Sequence, residues 1–118
     1  LIKLEENNID FICLAGFMKI LSKKIITRYK DKILNIHPSL LPKYKGLNTH
    51  KRVILNKEKF TGCTVHIVTS KLDSGKIILQ KKIKILKNDS EKTLSKRLLK
   101  IENQIYPRAV RKFAIANL

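Results

Sequence analysis

Asn35 and His37 stand two residues apart in the segment Leu34-Asn35-Ile36-His37-Pro38-Ser39-Leu40-Leu41-Pro42. On a strand, that spacing sends both side chains to the same side of the sheet. An amide can donate hydrogen bonds to an oxyanion, and an imidazole beside it can move protons or add positive charge. The pair therefore suits acyl chemistry. Asp73, in the turn Lys71-Leu72-Asp73-Ser74-Gly75, is one of only 9 acids. It could orient His37 and hold it cationic if its loop folds back. Each residue also has an ordinary reading: Asn35 satisfying the turn, His37 filling space ahead of Pro38, Asp73 closing an Asx turn. Met18-Lys19-Ile20-Leu21 forms an apolar lip with one cation, suited to a flat aromatic ligand or simply to helix packing. His50 reads as a helix-terminus residue and His66 as a strand-face residue. None of the four glycines falls in a phosphate-cradling pattern.

The elements that must position these groups follow from the apolar pattern. The unbroken run over residues 9–17 predicts a central parallel strand buried on both faces, after the end of a preceding helix in residues 1–8. Ser22 can cap a helix over 23–30 with Ile25, Ile26 and Tyr29 inward. Residues 32–37 predict a second strand, stopped by Pro38 and Pro42. Asn35 and His37 then lie at its carboxyl end, where open α/β sheets hold their ligands. A loop over 38–47 leads to a helix capped by Asn48 or Thr49 and running to Leu55. Strands follow over 62–69 and 77–86, the second alternating Ile with Lys so that one side is wet. Asp89 or Ser90 opens a last helix with Leu94, Leu98, Ile101 and Ile105 on one stripe. Pro107 is expected to interrupt it, with Val110 and Phe113 continuing the apolar face. The order of elements gives an α/β fold with about half the strands and helices of a usual doubly wound sheet.

The chain has 118 residues, 43% of them hydrophobic, enough for one domain with a real core. Lys and Arg total 26, for a formal net charge of +17. Such a field favours nucleic acid or anionic ligands. Yet 21 of the 26 are Lys and 5 are Arg, beside 17 Ile and 8 Asn. Arg's planar fork dominates phosphate and base recognition, so this Lys/Ile/Asn excess reads as composition bias, and specific nucleic-acid binding is not expected. No apolar run reaches the roughly 18–20 residues of a membrane-spanning helix, and the first residues do not form a secretory signal. Cys13 and Cys63 read as two buried thiols in a reducing cytoplasm. The first residue is Leu, so an unusual start codon or a piece of a longer chain is expected.

Five segments together resemble the phosphoribosylglycinamide formyltransferase family. They are Ala15-Gly16-Phe17-Met18-Lys19-Ile20-Leu21-Ser22, the Asn35 segment continued through Lys43-Tyr44-Lys45-Gly46, Thr61-Gly62-Cys63-Thr64-Val65-His66, Leu72-Asp73-Ser74-Gly75-Lys76-Ile77-Ile78-Leu79-Gln80 and Glu102-Asn103-Gln104-Ile105-Tyr106-Pro107. The resemblance runs from about Asp10 to Val110. It implies a Rossmann-like α/β sheet, mostly parallel with later antiparallel strands, and a single partial catalytic domain over 1–118. It also implies formyl transfer from 10-formyltetrahydrofolate to the amine of phosphoribosylglycinamide in purine biosynthesis, with no metal. The family's catalytic trio falls on Asn35, His37 and Asp73. Its folate-binding positions fall on Met18, Lys19, Ile20, Leu21, Asn35, Thr69, Ser70, Lys71, Leu72 and Asp73. Its substrate-binding segment falls on Leu99, Lys100, Ile101 and Glu102, where a carboxylate can hold an amine. Lys19 stands where Arg is common and Lys45 where Pro is frequent. The family's amino-terminal half, with the first strands and a Gly-rich phosphate loop, has no counterpart here, so a complementing half is the implied partner. The alternatives are a methionyl-tRNA type of formyltransferase, or an inactive basic remnant binding nucleic acid non-specifically.

Overall fold

The protein is described here from a computed structural model that covers residues 10–15 and 22–117. Strands β1 (Ile12–Ala15), β2 (Ile33–His37), β3 (Phe60–Ile67) and β4 (Ile77–Lys84) form one sheet in the order β1-β2-β3-β4. β1 and β2 are parallel, and the later pairs β2–β3 and β3–β4 are antiparallel. Helix α1 (Lys23–Arg28) links the parallel pair, α2 (Thr49–Leu55) links β2 to β3, and α3 (Glu91–Asn117) follows β4.

All five residues of β2 are buried, as a strand with neighbours on both edges and cover on both faces should be. Ile36, Cys63 and Val65 project onto α3 and pack with Leu98, Ile105 and Ala109 in the core. Register then fixes the other face. Asn35 pairs with His66 and His37 with Thr64, so these four polar side chains share the side of the sheet away from α3.

Local sequence accounts for the helix starts. Ser22 Oγ accepts from Ile25 N at 3.4 Å, and Ser90 and Thr93 exchange backbone and side-chain bonds at the start of α3. Asn48 precedes α2 with φ 56°, so its side chain makes no capping bond and only its position is that of a cap.

Three expectations are corrected. β1 is half-exposed and stands at the edge of the described sheet, not buried on both faces. Helix α3 reaches it through Tyr106 and the Phe11–Phe113 edge-to-face pair, but leaves an open cleft of about 480 Å³ beside Cys13. For the same reason Cys13 is exposed, whereas Cys63 is buried as expected. Pro107 does not interrupt the last helix, which runs unbroken for 27 residues. The carbonyl of Asn103 that loses its partner lies on the exposed side, while Ile105, Ala109 and Phe113 form one buried stripe across the proline. That packing outweighs the lost bond.

Candidate active site

The carboxyl end of β2 delivers Asn35 and His37, and two loops close over them. The first, residues 38–48, is tied down by the sheet. Thr64 Oγ1 donates to Ser39 O at 2.7 Å and accepts from Leu41 N at 3.1 Å. Gln80 Nε2 donates to both Leu41 O (3.0 Å) and Thr64 Oγ1 (2.9 Å). A Cβ on Gly62 would stand 2.0 Å from Lys81 O, so only glycine lets the β4 backbone lie so close, and it would also press on Leu40 Cδ2 of the loop at 2.5 Å.

The second loop, between β3 and β4, folds back as Asp73 requires. A Cβ on Gly75 would meet Ile67 O at 1.4 Å, so the return depends on glycine there. Asp73 itself adopts φ 49°, a left-handed conformation that Asp tolerates better than most residues. Its Oδ2 accepts from Gly46 N at 2.8 Å and lies 3.5 Å from His37 Nδ1. His37 Nε2 faces Tyr44 O at 2.8 Å. Both ring nitrogens of His37 therefore face acceptors. Only 6%, 2% and 8% of Asn35, His37 and Asp73 is exposed, so these polar groups interact with little solvent between them.

His66 joins the trio, where sequence assigned it only a strand face. Its Nε2 lies 3.9 Å from Asp73 Oδ1, and its Nδ1 donates to Ile67 O at 3.1 Å. Burial holds its pKa below the ordinary histidine value, against the pull of Ile67 O and Asp73, and the neighbouring His37 adds to the lowering. Asp73 thus has a neutral histidine on one oxygen and His37 on the other. The pairing of His66 with Asn35 was the signal that could have found it, once β3 was set antiparallel to β2. Asn35 Oδ1 and His66 Nε2 are buried without a hydrogen-bond partner among the described residues.

The other expected positions divide. Thr69, Ser70, Lys71 and Leu72 line the outer run of the Asp73 loop, with Leu72 exposed and Thr69 Oγ1 closing a turn with Lys71. Met18, Lys19, Ile20 and Leu21 lie outside the described residues. Leu99 and Lys100 are exposed on α3, and Ile101 packs against the core. Glu102 is half-buried, and desolvation pushes its carboxyl up to about 6. It faces the Cys63 thiol, which burial and this carboxylate together push up to about 12. Cys63 lies one step past the His37–Thr64 pair, so Glu102 sits at the trio's end of the sheet but across it, on the α3 face. Among the described residues no group of three or more His, Cys, Asp or Glu side chains could hold a metal ion.

A family model described as Formyl transferase matches residues 2–110. The chain belongs to the formyl transferase family. Among curated members it is 45% identical over 109 residues to phosphoribosylglycinamide formyltransferase of Escherichia coli, covering 92% of this chain and 51% of that protein. It is 47% identical over 107 residues to the human trifunctional purine biosynthetic protein adenosine-3, covering 91% of this chain and 11% of that one. The solved glycinamide ribonucleotide transformylase 1 of Symbiobacterium toebii superposes with a TM-score of 0.93 at 41% identity, over 97% of this chain and 54% of that one. This formyl transferase chain thus spans about half the length of the bacterial relative. The observed α/β architecture, with a mixed sheet ending in antiparallel strands, is that of its formyl transferase neighbours.

Proposed function

We propose that this chain carries the catalytic trio for transfer of a formyl group from 10-formyltetrahydrofolate to the amine of phosphoribosylglycinamide, in purine biosynthesis. The observation that carries the proposal is the cluster of Asn35, His37 and Asp73 at the carboxyl end of β2. His37 has an acceptor on each ring nitrogen, and Asn35 Oδ1 beside it is buried without a hydrogen-bond partner among the described residues. Similarity to phosphoribosylglycinamide formyltransferases supports the choice of acceptor.

In this reading the formyl carbon sits over Asn35 and His37. The amine attacks it, and the Asn35 amide NH2 with the His37 imidazolium stabilises the oxyanion as it forms. Asn35 Oδ1 can accept from the N–H of the attacking amine. His37 then gives a proton to the departing folate nitrogen as the carbon–nitrogen bond breaks, and Asp73 stabilises the imidazolium in the meantime. The surplus proton on the amine leaves through water to Asp73. Residues 69–73, with 18–21, hold the folate; Leu99, Lys100, Ile101 and Glu102 meet the glycinamide at the sheet's edge.

The phosphate of the acceptor needs a site that these residues do not supply. The proposal therefore includes a complementing amino-terminal portion, on the same or a separate polypeptide, and a cytoplasmic setting. No helix among the described residues is long and apolar enough to cross a membrane. The test is a formyl-transfer assay on the chain joined to, or mixed with, such a portion, with phosphoribosylglycinamide and methionyl-tRNA as rival acceptors. Formylation of phosphoribosylglycinamide that disappears in His37→Asn is expected; transfer to methionyl-tRNA alone, or none to either acceptor, overturns the reading.

A further inference from the structure

Three consecutive residues of the first loop each touch a different part of the site. Tyr44 gives its carbonyl to His37 Nε2, Lys45 Nζ donates to Ser74 Oγ at 2.8 Å, and Gly46 N donates to Asp73 Oδ2. Residues 44–46 are thus a strap laid across the His37–Asp73 pair and the loop that carries Asp73. The strap is not a relaxed turn. Tyr44, a bulky residue, has φ 57°, and Gly46 has φ 84°. A non-glycine residue in the left-handed region persists only where its surroundings hold it there.

From the α2 side, one side chain braces the strap. Arg52, half-buried on α2, donates from its Nη2 to Lys45 O at 2.5 Å. The same guanidinium lies over the Tyr44 ring, 5.4 Å from its centroid. A planar cation that donates along its edge and stacks with its face suits both tasks at once, and an ammonium does not. Sequence gave no reason to single out Arg52, because its partners are a carbonyl and a ring seven or eight residues earlier.

We propose that Arg52 is a positioning residue: it holds the strap in its left-handed turn, and so keeps the Tyr44 carbonyl on His37 and the Gly46 amide on Asp73. Its catalytic meaning rests on the formyl-transfer reading. Its physical content does not, because the His37 ring N–H can be observed without substrate.

The test uses the full chain labelled with 15N-histidine and 15N-arginine. The unsubstituted protein is expected to give a slowly exchanging His37 Nε2–H signal and a protected Arg52 guanidinium N–H. Arg52→Met should speed exchange of the His37 proton about fivefold to tenfold, the change that loss of one net hydrogen bond brings. Arg52→Lys, which keeps a donor but not the fork, should fall between. Amide signals of Val65 and Leu98, remote from the strap, report an intact core. Exchange in Arg52→Met equal to the unsubstituted rate overturns the proposal. A freely exchanging Arg52 guanidinium in the unsubstituted chain overturns it too, and that measurement needs no variant to fold.

Discussion

His37 meets an acceptor at each ring nitrogen, and the consequences of that placement can be measured one residue at a time. His37→Asn keeps a polar side chain at the end of β2 but cannot carry the proton. In the complemented enzyme it should lower kcat by about 10²–10⁴-fold, the span of general acid catalysis, while folate binding by fluorescence titration changes little. Turnover within a few-fold of the parent would remove His37 from the mechanism. Glu102 gives a pH signature of its own. Its folded-state carboxyl, pushed up to about 6, lies above the ordinary value of 4.5. The native state then binds the proton more tightly than the unfolded chain, so the stability this group contributes is complete below about pH 4.5. It is lost as pH rises through about 6. Glu102→Gln should therefore stabilise the chain by about 1 kcal/mol at pH 8, after discounting for partial exposure, and by almost nothing at pH 4. Urea unfolding at the two pH values checks this, and an equal difference at both would refute it. Strand parity made the shared side of Asn35 and His37 legible, but spacing alone left each residue an ordinary reading, and it was the family resemblance that joined Asp73 to them as a trio. His66 and Arg52 were not legible, since one depends on inter-strand register and the other on a backbone carbonyl.

At the scale of elements, the site is two loops pinned to one end of a sheet, and each pin is a residue the sequence shows without its partner. Strand β2 announced itself as the segment over residues 32–37 stopped by Pro38 and Pro42, and α3 by its stripe at Leu94, Leu98, Ile101 and Ile105. The continuity of α3 through Pro107 did not, because a proline's local cost is visible in sequence while the burial of Ala109 and Phe113 beyond it is a tertiary fact. Gly75 is the sharpest pin. With Ile67 O at 1.4 Å from its would-be Cβ, Gly75→Ala must push the Asp73 loop off β3. The expected cost is about 3 kcal/mol, at the upper end of overpacking, with loss of the protected Gly46 amide that Asp73 accepts. Thr64→Val probes the other loop. It leaves Ser39 O and Leu41 N without their buried partner, at roughly 2 kcal/mol, whereas Thr64→Ser keeps the hydroxyl and should lose much less. Denaturant melts of the pair separate the hydroxyl from the methyl; equal losses would mean packing alone mattered.

Over the whole molecule two tendencies oppose each other. The net charge of +17 repels a second copy, while β1 has one described neighbour and carries Cys13 and Ala15 exposed, an edge open to pairing. The apolar run alone pointed to a central strand, whereas the missing amino-terminal half of the family pattern already implied that this strand would lose neighbours and expose an edge. Salt decides between the two forces, because charge repulsion is screened over about 10 Å at 0.1 M salt and about 3 Å at 1 M, whereas edge pairing and apolar contact are not weakened. Self-association of the chain alone should therefore increase with salt. Cys13→Lys, a charge on the exposed edge strand, should suppress it. Assembly on contaminating nucleic acid has the opposite sign, since counterion release makes that binding weaken steeply with salt. Sedimentation at 0.05 M and 0.5 M NaCl separates them, the expected result being monomer at the lower salt and larger species at the higher. Dissociation on adding salt would mean that the positive field, not the β1 edge, governs how this chain meets other molecules. A strand supplied beside β1 by a complementing portion should abolish the salt-driven association, and this would link the molecule's solution behaviour to the amino-terminal portion proposed as its partner.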